Sequence, residues 1–166
     1  MKMKNKKIAP IIIGFFIGIL IKLFVFDIVI VSGNSMQPTI KNGETLFINK
    51  LAYGLKNPFK SSLIFQWATP QKDDIVIFMH NNRQVVKRCC GVSNEVLEYS
   101  VDSGYILSIE GKSYPLTEQQ FQRIKYNYKV PNNTILALGD NSSVSVDSRN
   151  YGFVPVQTIF GKVICK

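Results

Sequence analysis

The chain reads IVIVSGNSMQPT from Ile28 to Thr39, and this stretch decides how the rest of the sequence is interpreted. Its first four residues are β-branched, which predicts a strand over residues 28–31. The strand leads directly into a polar loop that carries Ser35. Residues 8–27, immediately before it, are nearly uninterrupted hydrocarbon. The pattern therefore predicts a serine held close to the surface of a membrane.

We expect residues 8–27 to form a transmembrane anchor, because about 20 apolar residues span a bilayer. Residues 1–7 contain four lysines, and one lysine (Lys41) follows soon after the apolar run. This asymmetry predicts a cytoplasmic N-terminus, a single crossing and an extracytoplasmic remainder, residues 28–166. A cleaved signal peptide also begins with basic residues. The run is longer than a typical signal-peptide core, however, and no small-x-small cleavage site follows it.

Composition excludes several classes of protein. A hydrophobic content of 46% rules out a disordered chain. The net charge of +9 could indicate nucleic-acid binding, but no helix-turn-helix, zinc-finger or RNA-binding motif is visible, so no nucleic-acid partner is expected. Cys89, Cys90 and Cys165 are too few and too irregularly spaced for a disulfide framework or a zinc site. We interpret them as structural and expect no metal or cofactor.

Short strands punctuated by glycine, asparagine and proline predict an all-β, antiparallel domain after residue 27. Residues 95–132 are a candidate cap or insert, and part of the polar stretch 114–130 is expected to be helical. Residues 53–70 mix aromatic side chains with lysines. They fit equally well an excursion of the core and a loop that rests on the lipid interface.

A serine hydroxyl needs a base to become a nucleophile. The single histidine, His80, lies beside Asn81-Asn82 in a predicted turn, where a solvated side chain is the simpler interpretation. Lysine can serve as the base if burial lowers its pKa. If Arg88 points to solvent on its strand, strand alternation turns Lys87 inward. On this segment alone, an exposed edge strand protected by lysine and arginine is the favoured interpretation.

A third segment, residues 139–149, reads GDNSSVSVDSR and favours the catalytic interpretation. Its first residues, including Asp140, are typical of a tight turn after a strand. Asp147 and Arg149 can form a bidentate ion pair with each other or with the turn. Ser145 offers a short hydroxyl that can orient a lysine amine without adding charge.

Together, the three segments resemble the bacterial type I signal peptidases, membrane-bound Ser–Lys proteases of the S26 class. The sequence SMQPT at Ser35–Thr39 resembles the family's serine box, and VKR at Val86–Arg88 resembles its lysine box. GDN at Gly139–Asn141, DSR at Asp147–Arg149 and GFVP at Gly152–Pro155 match its third box almost letter for letter. Gly161-Lys162-Val163 resembles the terminal box.

The resemblance implies a role for each matching residue. Ser35 would be the nucleophile, Lys87 the general base and later acid, and Ser145 the hydroxyl that positions the Lys87 amine. Asp140, Asp147 and Arg149 would support the loop. The oxyanion would be stabilised chiefly by the Ser35 backbone N–H. Some members also use a serine two residues before the nucleophile. Here that position is Gly33, which leaves open whether the neighbouring Ser32 contributes.

By the same resemblance, the substrates are exported preproteins with small residues, usually alanine, one and three places before the cut. An extended substrate is expected to pair with strand segments 28–31 and 84–86. Four apolar side chains would wall shallow pockets for its small residues: Val29, Val31, Met36 and Val86. The protein is expected to be a monomer in the cytoplasmic membrane of a bacterium.

Three alternatives remain. A self-cleaving repressor of the same chemistry would need a DNA-binding domain before the serine, where this chain has its apolar run. A maturation peptidase dedicated to a conjugative or pilus system would have a narrower range of substrates. A non-catalytic membrane scaffold of the same fold would not need Ser35 or Lys87, and this chain has both.

Overall fold

The computed structural model describes residues 5–57, 63–102 and 104–165, with side chains from residue 8 onward. Within these residues there are three α-helices, α1 (Asn5–Phe24), α2 (Glu118–Ile124) and α3 (Ser148–Tyr151), and one short 3₁₀-helix, Val156–Thr158. The strands, numbered in chain order, are β1 Phe26–Ile30, β2 Thr45–Asn49, β3 Gly54–Lys56, β4 Leu63–Gln66, β5 Ile75–His80, β6 Arg83–Gly91, β7 Glu98–Ser100, β8 Tyr105–Ile109, β9 Lys112–Leu116, β10 Thr134–Leu138, β11 Val154–Pro155 and β12 Ile159–Cys165.

Seven of these strands form one sheet in the order β1-β2-β12-β5-β6-β10-β11, and every neighbouring pair is antiparallel. The antiparallel β class predicted from the sequence is therefore confirmed. Apolar side chains of the sheet pack in separate clusters. One contains Val76, Phe78 and Ala137, and another contains Met36, Ile40 and Leu46 beside the serine loop. The second cluster fixes the loop because its buried side chains exclude water.

Two smaller sheets lie in the regions that the sequence left least certain. β3 and β4 form a hairpin within residues 53–70, and its side chains Ile64 and Phe65 are exposed. Between residues 95 and 132, β7, β8 and β9 form a three-stranded sheet followed by α2. Thr117 begins α2 with a capping box, in which Gln120 completes the pair of hydrogen bonds.

The apolar N-terminal segment differs from the prediction. Residues 8–27 were expected to form one continuous anchor, but α1 ends at Phe24 and Phe26–Ile30 belongs to β1. The helix ends there because β1 pairs with β2, from Phe26 opposite Asn49 to Ile30 opposite Thr45. Within the described ranges, no helix combines the length and apolar character needed to cross a membrane.

His80 lies at the end of β5, immediately before the tight turn that leads into β6. Asn81 and Asn82 have φ values of 48° and 59°, a left-handed conformation that asparagine tolerates and that two-residue hairpins require. His80 is the last residue of β5, and its ring stacks on Tyr151 at 4.0 Å between centroids. It was interpreted from the sequence as a solvated side chain. Instead it packs against α3.

We predict that Gly161→Ala destabilises the sheet. A Cβ atom at Gly161 would lie 2.6 Å from the Asn49 carbonyl oxygen and 2.7 Å from Ile48 Cγ2, so β12 and β2 would have to separate. The expected loss is about 1–3 kcal/mol in the free energy of unfolding, measured by denaturant titration. Gly14→Ala is the control, because nothing lies within 4 Å of a Cβ at Gly14. Equal stability of the two variants would contradict the prediction.

Candidate active site

Ser35 lies in the loop between β1 and β2, and hydrogen bonds before and after the serine fix the path of this loop. At its base, Val31 N donates to the Glu44 carbonyl and Gly43 N donates to the Val31 carbonyl, both at 2.9 Å. Past the serine, Ile40 N donates to the Met36 carbonyl at 2.8 Å. Met36 is buried beneath the loop, and Ser35 itself is half-buried. The loop is therefore a fixed turn that presents the serine from the end of β1.

Lys87 reaches this serine from β6. Its Nζ lies 2.7 Å from Ser35 Oγ, as the donor of a hydrogen bond, although 52 residues separate them in the chain. Lys87 lies opposite Val76 in the β5–β6 ladder, and its side chain is only 3% exposed. Burial lowers its pKa below the usual lysine value. Asp147 opposes that shift and Arg149 reinforces it. A lysine amine in this position can accept a proton from the serine.

Residues 139–141 join the serine loop to the third segment. A Cβ atom at Gly139 would overlap Ser145 Oγ and lie 2.5 Å from the Ser35 carbonyl oxygen, so only glycine allows the two segments this close. Asn141 then connects them. Its backbone N–H donates to the Ser35 carbonyl at 3.0 Å, and its side-chain amide donates to the Asn34 carbonyl at 3.2 Å.

Below this contact lies a buried ion pair between Asp147 and Arg149. The guanidinium donates from Nε and Nη2 to the two carboxylate oxygens, at 2.9 and 2.8 Å. The side chains are 0% and 2% exposed. Asp147 also accepts from the Gly139 N–H at 3.0 Å, while Arg149 donates to the carbonyls of Pro115 and Ser142, both at 3.3 Å. Burial by itself would raise the pKa of Asp147. The Arg149 guanidinium and the Gly139 N–H outweigh it, and the pKa is lowered.

Ser145 lies where these groups converge but is not hydrogen-bonded to Lys87. Its hydroxyl is buried and makes no close hydrogen bond, but it faces the Asp147 carboxylate closely enough to help lower the pKa of that group. The structure thus brings Ser145 next to Gly139 and beside Asp147.

Arg88 and Asp140 form a second bidentate pair, at 2.8 and 2.7 Å. Arg88 Nη1 also donates to the Asp73 carbonyl at 3.1 Å. The sequence argument turned Lys87 inward on the condition that Arg88 points to solvent. Arg88 is instead half-buried against the turn that follows β10, and Lys87 is buried. Burial opposes ionisation of Asp140, but Arg88 outweighs it and the pKa of Asp140 is lowered.

A groove of about 540 Å³ runs past Ser35 and Lys87. All four side chains expected to form pockets line it, namely Val29, Val31, Met36 and Val86. Ser32 lines it too, as do Val144 and Val146, which flank Ser145 and which the sequence argument did not include. The groove is bordered by backbone without a strand partner in the named ladders: β1 pairs only with β2, and residues 83–87 of β6 pair only with β5.

The three cysteines are free thiols. Cys89 and Cys90 are buried, and burial raises the pKa of Cys89 to about 12, so its thiol is not ionised near neutral pH. Cys165 is exposed near the end of β12. None of them lines the groove beside Ser35.

Sequence reasoning underestimated two residues of this site. Asn141 was treated only as part of a turn, yet it ties the third segment to the serine loop. Gly139 was also read as a turn residue, and its actual role is to allow close approach. The only available signal was the GDN string, which is typical of many turns and carries no information about the distant loop that it contacts.

The chain matches the family model described as "Signal peptidase, peptidase S26" over residues 5–166. The chain belongs to this signal peptidase family. It is 31% identical over 160 residues to a signal peptidase I of Bacillus caldolyticus, with 86% of this chain and 80% of the relative covered. It is 29% identical over 177 residues to signal peptidase IB of Staphylococcus aureus, with coverages of 94% and 85%. A signal peptidase I of Buchnera aphidicola is 25% identical over 238 residues, with coverages of 97% and 77%.

Among solved structures, the chain is similar to a signal peptidase I from Enterococcus faecalis, with a TM-score of 0.41 and 31% sequence identity. The similarity covers 58% of this chain and 97% of that one. The family membership, which rests on the sequence comparisons, identifies the chain as a serine endopeptidase of the signal peptidase class.

We predict that Gly139→Ala inactivates the enzyme without unfolding it. The new methyl group would push Ser145 and the Ser35 loop apart. A displacement of about 1 Å at the reacting groups costs on the order of 10²-fold in rate. Steady-state cleavage of a peptide substrate would measure the loss, and thermal unfolding would report the fold. Gly14→Ala is the matched control, because it adds the same methyl group outside the groove where nothing lies within 4 Å of it. Comparable activity of the two variants would contradict the prediction.

Proposed function

We propose that the chain removes signal peptides from exported preproteins, with Ser35 as nucleophile and Lys87 as general base. The observation that carries the proposal is the 2.7 Å contact between Lys87 Nζ and Ser35 Oγ, made by a lysine that is almost fully buried. Family membership supports the substrate class, since the relatives are named signal peptidases.

In the proposed reaction, the neutral Lys87 amine takes the Ser35 hydroxyl proton as Oγ attacks the carbonyl carbon of the scissile bond. The negative charge that develops on the carbonyl oxygen is stabilised by the Ser35 backbone N–H. Lys87, now an ammonium, gives its proton to the leaving amine, and the mature protein departs. A water molecule, deprotonated by Lys87, then hydrolyses the acyl-enzyme and restores both side chains.

Ser145 is proposed to orient the Lys87 amine during this cycle. The support is its position: its hydroxyl is buried, adjacent to Gly139 at the edge of the site and close to Asp147. Contacts of catalytic groups often tighten only when substrate is bound. Asp140, Asp147 and Arg149 are assigned a supporting role, because their ion pairs hold the turns on either side of Ser145.

The groove supports selection of small side chains. We propose that the substrate lies extended between the unpaired edges of β1 and β6, adding main-chain hydrogen bonds to both. Alternate side chains of the substrate would then face Val29, Val31, Met36 and Val86. These walls are apolar and close to the backbone, and they favour alanine one and three places before the cut.

We further propose that the apolar segment attaches the enzyme to the cytoplasmic membrane of a bacterium as a single-pass monomer, with the lysine-rich N-terminus on the cytoplasmic side. The support is the surface of α1. Large apolar side chains are exposed along it, including Ile11, Phe15, Phe16 and Leu20. A helix exposed in this way is stable where lipid surrounds it. Attachment to the same bilayer as the substrate would raise the effective concentration of the cleavage site.

The test is cleavage of a preprotein by the full chain in detergent. Cleavage is expected after a small-x-small site, and alanine-to-leucine replacement one place before the cut should block it. Ser35→Ala and Lys87→Ala should each lower the rate by at least about 10³-fold with unchanged thermal unfolding. Ser113→Ala and Lys112→Ala, on the exposed surface of β9 and outside the groove, are matched controls. If Lys87→Ala retained the rate of Lys112→Ala, the dyad would be refuted even if cleavage occurred.

We expect the pH dependence to report Lys87. Burial lowers the pKa of this amine, and the neutral form is the active one. The rate should therefore rise as pH increases through an apparent pKa below that of free lysine and level off above it. Single-turnover cleavage between pH 6 and 10.5 would measure this profile. A rate still climbing steeply at pH 10 would contradict a desolvated Lys87.

A further inference from the structure

The substrate groove has apolar side chains on two opposite faces, and the proposed alanine pockets use only one of them. Val31, Met36 and Val86 pack together in one cluster on the first face. Val85, the preceding residue of β6, packs instead against the cluster that contains Phe78. Neighbouring residues of a strand point to opposite faces of its sheet, so Val85 marks the second face. An extended substrate beside β6 would meet both faces.

Lys87 and Ser145 lie on the second face. Lys87 follows Val85 by two residues on β6 and therefore points the same way. On β10, Ala137 belongs to the same cluster as Val85. Gly139 continues this face two residues later, where a Cβ atom would overlap Ser145 Oγ. The Ser145 hydroxyl and the Lys87 amine therefore belong to the second face of the groove.

Three exposed apolar side chains line the groove on this face. Val144 and Val146 flank Ser145 in the chain, line the groove and are 57% and 63% exposed. Ile30 lines the groove as well and is 69% exposed. It precedes Val31 on the chain and points away from the first face, because side chains alternate along a strand. Contact with an apolar ligand would remove this surface from water, which is favourable.

The alternation of an extended substrate decides which of its residues meets the second face. If the residues one and three places before the cut face the first, the residue two places before the cut faces the second.

The chemistry of the second face favours an apolar side chain at that position. Lys87 is the only charged residue among the described residues that line the groove, and it is almost fully buried. A polar substrate side chain would lose hydration there, while its apolar neighbours offer no hydrogen bond in return. An acidic side chain would attract a proton to the Lys87 amine and so disfavour its neutral, active form.

We propose that Ile30, Val144 and Val146 form a subsite for an apolar side chain two places before the cut. The subsite presupposes the proposed peptidase function and narrows its substrates. Small residues one and three places before the cut would alternate with a larger apolar residue between them. Because two of the three side chains flank Ser145, the substrate would pack beside the hydroxyl that is proposed to orient Lys87.

The experiment measures kcat/KM of the full chain in detergent on four otherwise identical peptides. Each keeps alanine one and three places before the cut and carries leucine, alanine, serine or aspartate between them. We expect the leucine peptide to be cleaved at least about ten-fold faster than the serine peptide, because added methylene groups in a hydrophobic site are worth about that much in rate. The aspartate peptide should be the slowest.

The decisive comparison is between two double variants that carry the same substitution. Val144→Thr/Val146→Thr keeps the branching of both side chains but adds hydroxyl groups, so the ratio of leucine to serine cleavage should fall towards one. Val96→Thr/Val101→Thr changes two valines outside the groove that are similarly exposed, at 53% and 56%, and should keep the ratio of the parent. Thermal unfolding would show that both variants are folded.

A third variant tests the subsite by a gain of preference. Val146→Lys places an ammonium group on the second face, where it can pair with the carboxylate of the aspartate peptide. We expect the aspartate peptide to become a better substrate than the serine peptide. A merely structural effect on the segment that holds Ser145 would slow all four peptides alike.

Three results would overturn the subsite and leave the peptidase function intact. The first is equal cleavage of all four peptides by the parent chain. The second is an unchanged leucine-to-serine ratio in Val144→Thr/Val146→Thr. The third is a loss of rate in that variant that all four peptides share equally, which would limit the two valines to supporting Ser145. Failure of the parent to cleave any of the peptides would instead refute the proposed peptidase function, and the subsite with it.

Discussion

The buried ion pair between Asp147 and Arg149 is the interaction on which the rest of the site depends. The Asp147 carboxylate accepts hydrogen bonds from Arg149 and from the Gly139 N–H. The Arg149 guanidinium also donates to two carbonyls, that of Pro115 in β9 and that of Ser142 in the turn after β10. Isolated buried charges are very costly, so neither residue is stable there without the other. The pair therefore sets the path of residues 139–149, and with it the positions of Ser145 and of the turn that contacts the serine loop.

The same pair influences the state of Lys87. The charge on Asp147 by itself would attract a proton to Lys87 and raise its pKa, and the charge on Arg149 acts in the opposite sense. Because the two are joined directly, much of the effect of Asp147 on Lys87 is cancelled. Desolvation is the largest influence on the pKa of Lys87, and it favours the neutral amine. A supporting ion pair can in this way limit the effect of its carboxylate on the pKa of a base that it does not touch.

Local sequence patterns predicted much of the fold and the residue types of the site. Short segments between glycine, asparagine and proline predicted the antiparallel class, and strand alternation turned Lys87 inward even though Arg88 proved to be half-buried. What the sequence could not supply was contact between segments distant in the chain. The Asn141 bonds to the serine loop, the Arg88–Asp140 pair and the requirement for glycine at residue 139 each depend on how β1, β6 and β10 meet. No periodicity within one segment carries that information.

The exact boundary between helix and strand was also beyond the sequence, since β-branched residues predicted a strand from Ile28 and β1 begins two residues earlier, at Phe26. Pairing with β2 decides the boundary, and it has a geometric consequence. β1 is a five-residue strand, about 17 Å long at the usual rise per residue. At its start lies the end of α1, and past its end lies Ser35. If α1 is held in lipid as proposed, the height of the nucleophile above the headgroups is set by one short, hydrogen-bonded strand rather than by a flexible linker. A cleavage site at a constant distance from the bilayer then needs no recognition of a long sequence, because the strand itself measures the distance.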